Sequence, residues 1–307
     1  MQGQKVLFVG GKGPVSAPAA RLLAKDNDVS IMARFSEPGS RERIEALGMH
    51  PIVHDLFDSF DDLPTDFDYV YYTALPMSAV YEPLGPWPHS YDAYADATGR
   101  LFSHLHGVKG FLFASSISVY EPPGGATPVP ETHPFGIHTY APYAFTKVAN
   151  EAVVSFLSRR FEVPTTIIRV GSVSGVEGGP MRERLDLLVK GEPIPVHPES
   201  PTFFRPMFEP DSARLGVAAL QAGRVPPLVV NWCGDDIVTV EEYCTFMGEL
   251  IGKDPIFEYT PAAYRSLVPD TTLMHETLGH CEVRWQDGCR MLVEQCYPEL
   301  LRGREGK

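Results

Sequence analysis

The sequence predicts an α/β chain built on a doubly wound parallel sheet, with a smaller C-terminal portion. Three observations carry this expectation. Short apolar runs alternate with helical patterns through the first half, a glycine cluster joins the first run to the first helix, and the alternation breaks down in a proline-rich stretch beyond Gly175. Apolar strands separated by helices are the mark of a sheet covered on both faces.

The elements follow in order. KVLFVG is a strand, APAARLLAKD a helix, DVSIMAR a strand, SRERIEALG a helix and HPIVHD a strand. DYVYYTA is the fourth strand, followed by the helix DAYADATGRLFSHLHG and the strand GFLFASSISVY. A long helix, PYAFTKVANEAVVSFLSRRF, leads into the strand PTTIIRVGSV. Gly48, Gly107 and Gly252 each follow a helical run and are expected as left-handed caps. Later, VVNWCGDDIVTVEEYCTFMGELIG repeats the strand–helix pattern, with Thr239 and Glu242 spaced as a capping box. These patterns divide the chain into residues 1–175 and 176–307, with some later segments returning to the main sheet.

Bulk properties narrow the function classes. The 44% hydrophobic and 21% charged composition is that of an ordinary globular protein. A formal charge of −13 argues against nucleic acid or an anionic membrane as partner. All five cysteines fall in the last quarter without a CxxC pair, so they are expected as reduced, structural thiols. His275 and His280 stand near Cys281 without metal-ligand spacing, and no metal is expected. The first strand begins almost at Met1, which leaves no room for a signal peptide, and no membrane span is visible. A cytoplasmic protein is the expectation.

Gly10, Gly11 and Gly13 lie directly between the first strand and first helix. Glycine permits the tight turn there and lets backbone N–H groups approach a pyrophosphate at a helix N-terminus. The first 175 residues are therefore expected as a Rossmann-type dinucleotide domain, and the rest mainly as a substrate-binding portion. Ser16 stands where a third glycine usually does, and slightly looser helix–strand packing is expected. The second strand ends in Ala33-Arg34, where NAD-binding chains carry an acid for the ribose hydroxyls. Lys12 adds a second positive charge. Two cations without a carboxylate point to NADP(H) as the preferred cofactor, with NAD(H) also accommodated. Asp55 and Leu56 follow the third strand as candidates for the adenine edge, and Thr73 and Ala74 follow the fourth, beneath the cofactor.

Tyr143 and Lys147 are four residues apart on a predicted helix and share a face. A tyrosine with a pKa near ~10 is a poor acid–base group at neutral pH. A nearby ammonium favours the phenolate, and the same lysine can donate to the nicotinamide ribose. Upstream, Ser115 and Ser116 end a predicted strand, where a hydroxyl can hold a substrate oxygen. Trp87, in the proline-rich run EPLGPWPHS, and Arg205 are the candidates for contact with a small-molecule substrate.

Taken together, GGKG at 10–13, HDL at 54–56, SSISVY at 115–120, YAFTK at 143–147 and RVGSVSG at 169–175 resemble the extended short-chain dehydrogenase/reductase family, also called the NAD-dependent epimerase/dehydratase family. FRPMFEPDSA at 204–213 and NWCGDDIVTVEE at 231–242 extend the resemblance over nearly the whole chain. It implies Ser116 as the catalytic serine, Tyr143 as proton donor or acceptor and Lys147 as its electrostatic partner. It also implies a homodimer formed by the helix before the serine strand and the helix carrying Tyr143.

The departures refine the expectation. Asp96 stands where the family usually has an asparagine. Ile117 and Ser118 replace the Asp-Glu pair of dehydrating members, which counts against dehydration. Ser172 replaces an asparagine that touches the diphosphate in many nucleotide-sugar members. The expected activity is NADP(H)-dependent interconversion of a carbonyl and an alcohol. A nucleotide-sugar epimerase that retains its cofactor is the alternative, and a non-catalytic NADP sensor a more distant one.

Overall fold

The computed structural model describes residues 1–74, 89–136 and 143–301, with nothing drawn from the side chains of 89–93. The expected contacts of Trp87 therefore lie outside the described residues. Among the described residues, seven parallel strands form the main sheet: β1 (Lys5–Val9), β2 (Asp28–Ala33), β3 (His50–Val53), β4 (Tyr69–Tyr72), β5 (Gly110–Ser116), β7 (Thr165–Val170) and β12 (Leu228–Trp232). Their spatial order is β12-β7-β5-β4-β1-β2-β3. The order reverses between β1 and β4, which leaves a crevice at the carboxyl ends of those strands. The short strands are β6 (Pro128–Val129), β8 (Ser172–Ser174), β9 (Ile194–Val196), β10 (Phe203–Phe204), β11 (Pro206–Phe208), β13 (Val238–Thr239), β14 (Phe257–Tyr259) and β15 (Val268–Pro269).

Each strand divides its apolar residues between two layers. Val6 and Phe8 of β1 join Ile31, Tyr71 and Leu112 on one face, against α1 (Ala17–Leu23) and a later helix over Glu209–Gln221. Leu7 and Val9 join Met32, Val70 and Tyr72 on the other, against helices over His89–His104 and Tyr143–Phe161. Side chains alternate across a strand, so a run apolar at every position must be covered twice. Each fully buried Val, Leu or Phe contributes roughly 1.5–3 kcal/mol relative to exposure. In chain order the helices are α1, α2 (Ser40–Ala46), α3 (His89–His104), α4 (Tyr143–Phe161), α5 (Pro180–Lys190), α6 (Glu209–Gln221), α7 (Val240–Ile251), α8 (Thr272–Thr277) and α9 (Trp285–Cys296).

The later half is not wholly separate. Helix α6 and strand β12 complete the main sheet and its covering layer, β12 pairing with β7 in parallel. A second core gathers Met181, Leu185, Phe208, Tyr243, Met247 and Leu292 from α5, α7, α9 and β11. Thr239 and Glu242 form a reciprocal capping box at the start of α7, and Gly252 ends that helix at φ +71°. Gly48 has φ +74°, but Gly107 is outside the left-handed region. All five cysteines are free thiols. Among the described residues, no helix is long and apolar enough to cross a membrane.

Candidate active site and cofactor cleft

The glycine loop leaves the carboxyl end of β1 and enters α1. Gly10 has φ +83°, and a Cβ there would lie 2.7 Å from the Ala74 backbone; a Cβ on Gly11 would lie 2.6 Å from Ile31. Both positions therefore favour glycine for close approach, and Gly10 requires it for the turn as well. Thr73 and Ala74 donate their N–H groups to the Val9 carbonyl, and the Thr73 hydroxyl donates to the Gly10 carbonyl at 2.6 Å. This brings the ends of β1 and β4 together at the switch point. Ser16 closes the turn through its side chain. It is fully buried, and its hydroxyl lies 3.0 Å from both the Gly10 and the Lys12 carbonyls, tying the loop to the first turn of α1.

A cleft of about 470 Å³ opens beside this loop, lined by Gly10, Gly11, Lys12, Arg34, Asp55, Leu56, Thr73 and Ala74 among others. Those are residues the sequence assigned to the cofactor. Gly13 faces the adjoining hollow with Lys12, Ala33, Glu37 and Arg43. The end of β2 carries no acid, as read from the sequence, but a carboxylate four residues beyond it reaches Lys12. Glu37 accepts from Lys12 at 2.9 Å and from Arg43 at 2.9 Å, and these hydrogen bonds hold its carboxyl below the usual range. Arg34 lies 4.0 Å from Asp55 and is 71% exposed. The edge thus carries three cations and two acids. The glycines at contact distance, the free rim and the nearby cations fit a dinucleotide.

Ser116 ends β5, and Tyr143 and Lys147 lie one turn apart at the start of α4. The Tyr143 ring keeps some exposure while its phenol is desolvated, and it hydrogen-bonds Ser116. Ser116 Oγ also accepts the Ser118 N–H at 3.1 Å. Lys147 is 3% exposed, and its Nζ donates to the Ala114 carbonyl at 2.7 Å and sits 5.8 Å from the Tyr143 ring centre. Burial pushes its pKa down to about 7, although Glu151 works in the opposite sense. The expected lowering of the tyrosine is reversed: burial raises Tyr143, and the Ser116 hydrogen bond offsets only part of that.

One residue beside this group, Glu151, lies outside every motif read from the sequence. Glu151, one turn beyond Lys147, accepts from Ser115 at 2.5 Å and from both Nε and Nη2 of Arg169, at 3.0 and 2.8 Å. Arg169 donates to the Tyr120 hydroxyl at 2.9 Å, and Tyr120 donates to Asn231 at 2.6 Å. The spacing Tyr143, Lys147, Glu151 was the available signal, since four-residue steps share a helix face. Two further positions named from the sequence are placed by the structure. Asp96 is 60% exposed and paired with Arg100 at 2.8 Å on α3. Arg205 directs Nη1 to the Asp235 carbonyl at 2.5 Å and leaves a buried Nε without a partner among the described residues.

A sequence profile of the NAD dependent epimerase/dehydratase family matches residues 6–190, more than half of the chain. No curated protein sequence matches. Among solved structures, the chain is similar to a UDP-N-acetylglucosamine 4-epimerase from Methanobrevibacter ruminantium M1, in complex with UDP-N-acetylmuramic acid. That similarity is 18% identity and TM-score 0.81, covering 97% of this chain and 99% of the other. A UDP-glucose 4-epimerase from Thermotoga maritima with UDP-glucose is 20% identical, with TM-score 0.81 and coverage of 96% and 99%. A UDP-glucuronic acid 4-epimerase from Bacillus cereus, with UDP-glucuronic acid and NAD, is 19% identical, with TM-score 0.80 and the same coverage. At these identities the likeness is one of fold. The profile match, together with the switch-point cleft, makes the chain a member of the NAD dependent epimerase/dehydratase family, an enzyme of the extended short-chain dehydrogenase/reductase type.

Proposed function

We propose that the chain is an oxidoreductase that prefers NADP(H) and interconverts a carbonyl and an alcohol of a small-molecule substrate. The observation that carries this reading is the meeting of Ser116, Tyr143 and Lys147 at the end of β5, two strands from the glycine loop. A bound nicotinamide supplies hydride exchange at the substrate carbon. Tyr143 gives its phenolic proton to the carbonyl oxygen in the reductive direction and takes it back in the oxidative one. Ser116 donates to the same oxygen and holds its developing charge. Lys147, protonated, stabilises the phenolate left behind.

Gly10, Gly11, Lys12 and Gly13 would hold the pyrophosphate, with Asp55, Leu56, Thr73 and Ala74 along the adenosine and Lys147 at the nicotinamide ribose. The NADP(H) preference rests on Lys12, Arg34 and Arg43 around the end of β2. A 2′-phosphate competes with Glu37 for Lys12 and Arg43 and adds charge where Arg34 is exposed. Residues 176–307, apart from α6 and β12, would carry the substrate, with Trp87 and Arg205 as contacts. The remaining expectations, a cytoplasmic homodimer pairing α3 and α4, belong to the same proposal.

A nucleotide-sugar 4-epimerase is the second reading, favoured by the full-length match to three such enzymes. It shares the proton chemistry and differs in retaining its nucleotide. The nucleotide content of the purified protein, followed by titration with NADPH and NADH, separates them. Empty protein that binds NADPH much more tightly supports the oxidoreductase; a stoichiometric nucleotide that does not exchange supports the epimerase. Binding of neither removes both. Tyr143→Phe is expected to abolish turnover and leave nucleotide binding nearly unchanged.

A further inference from the structure

Away from the cofactor cleft, Asp235, His275 and His280 bring three donor atoms within 4.8 Å of one another. Asp235 lies in the loop after β12, His275 on α8 and His280 in the turn that follows it. One carboxylate oxygen is 2.9 Å from His275 Nε2, and the other is 3.0 Å from His280 Nδ1. The two imidazole rings stack at 3.9 Å between centres. Two donors that share one ion at about 2.0–2.2 Å each stand about 3 Å apart, the spacing found here on both sides of the carboxylate.

We propose that Asp235, His275 and His280 form a binding site for one divalent first-row transition ion of the zinc class. Two imidazoles and a carboxylate are the donor set such ions favour over calcium or magnesium, which take oxygen. The charge balance agrees, since a single carboxylate faces two neutral-capable ligands. His280 is 68% exposed, which gives an ion an entry path and leaves coordination positions for water. The carboxylate is also oriented from behind, as ligands in metal sites generally are. The Cys281 N–H donates to Asp235 at 3.3 Å, and Arg205 holds the Asp235 carbonyl at 2.5 Å. An ion here would pin residues 272–283 to the end of β12, beside the one arginine expected to meet substrate. The linear sequence concealed the set because Asp235 is forty residues from His275.

The test is equilibrium dialysis of untagged full-length protein against Zn²⁺, with metal content measured on wild type, His280→Asn and the thiol control Cys281→Ser/Cys296→Ser. One ion per chain is expected in wild type and in the thiol control, with affinity reduced more than roughly tenfold in His280→Asn. Circular dichroism confirms that the exposed-site variant is folded. Co²⁺ is expected to give visible d–d bands in wild type and lose them in His280→Asn. No stoichiometric uptake by wild type, or uptake unchanged in His280→Asn, would overturn the site and leave an Asp–His hydrogen-bonded cluster. Neither result bears on the nucleotide titration, so this inference and the proposed function fail separately.

Discussion

At Ser16 a single hydroxyl performs the closing role that glycine has elsewhere in such turns. Its contacts to the Gly10 and Lys12 carbonyls are internal, and removing it takes this donor from the Lys12 carbonyl, while Gly10 keeps the Thr73 hydroxyl. Ser16→Ala is expected to cost about 1–3 kcal/mol of stability, read as a shift in denaturant midpoint. Gly10→Ala acts differently. It adds a Cβ 2.7 Å from the Ala74 backbone at a φ of +83°, which side chains rarely adopt. Nucleotide affinity is expected to fall with stability, and titration of the folded variant checks it. Both effects follow from close approach, which composition does not reveal.

Helix α4 carries the next level of organisation. Tyr143, Lys147 and Glu151 occupy one stripe, and the last of them joins the helix to Arg169 on β7 and Ser115 on β5. Lys147 is a buried amine whose pKa is held down to about 7 by desolvation, with Glu151 opposing. Because the folded pKa is below the unfolded value, the unfolded chain binds more protons between them. This group is destabilising at low pH, and stability rises as pH climbs from about 7 towards the ordinary lysine value of 10.5. Glu151→Gln removes the opposing charge, so Lys147 is expected to lose its proton at still lower pH. The basic limb of the pH–rate profile should then move to lower pH, and an unmoved limb would show that Glu151 does not hold that proton. The same variant leaves Arg169 buried beside a neutral partner, with an expected cost of about 3–5 kcal/mol.

Over the whole molecule, the two cores are linked at the back of α1. Arg21 pairs with Glu177, and at 3.3 Å with Glu209 at the start of α6. Burial and the adjacent Glu177 raise the Glu209 carboxyl above the ordinary glutamate range, despite Arg21. A raised acid binds a proton in the folded state that the unfolded chain has released. Its contribution is therefore full at acid pH and lost as pH rises through the folded pKa. Glu209→Gln is expected to flatten the stability profile from the ordinary glutamate range up to neutrality, measured as urea midpoint against pH. The amide oxygen keeps the acceptor for the Val176 N–H, now met at 2.9 Å.

The sequence by itself determined the sheet, its glycine loop and the shared helix face of Tyr143 and Lys147, because each depends on short-range periodicity, while Ser116 was marked by the family resemblance. Strands apolar throughout, glycines at a strand–helix junction and a four-residue step on a helix are local patterns. Only the tertiary structure decided what surrounds them. Glu37 meets Lys12 across 25 residues, Glu151 meets Ser115 across 36, and Asp235 meets His280 across 45. It also left Asp96 exposed and raised Tyr143, since helix rotation and burial depend on every element packed around them. Charges and hydroxyls act through space, and folding alone sets which of them are neighbours.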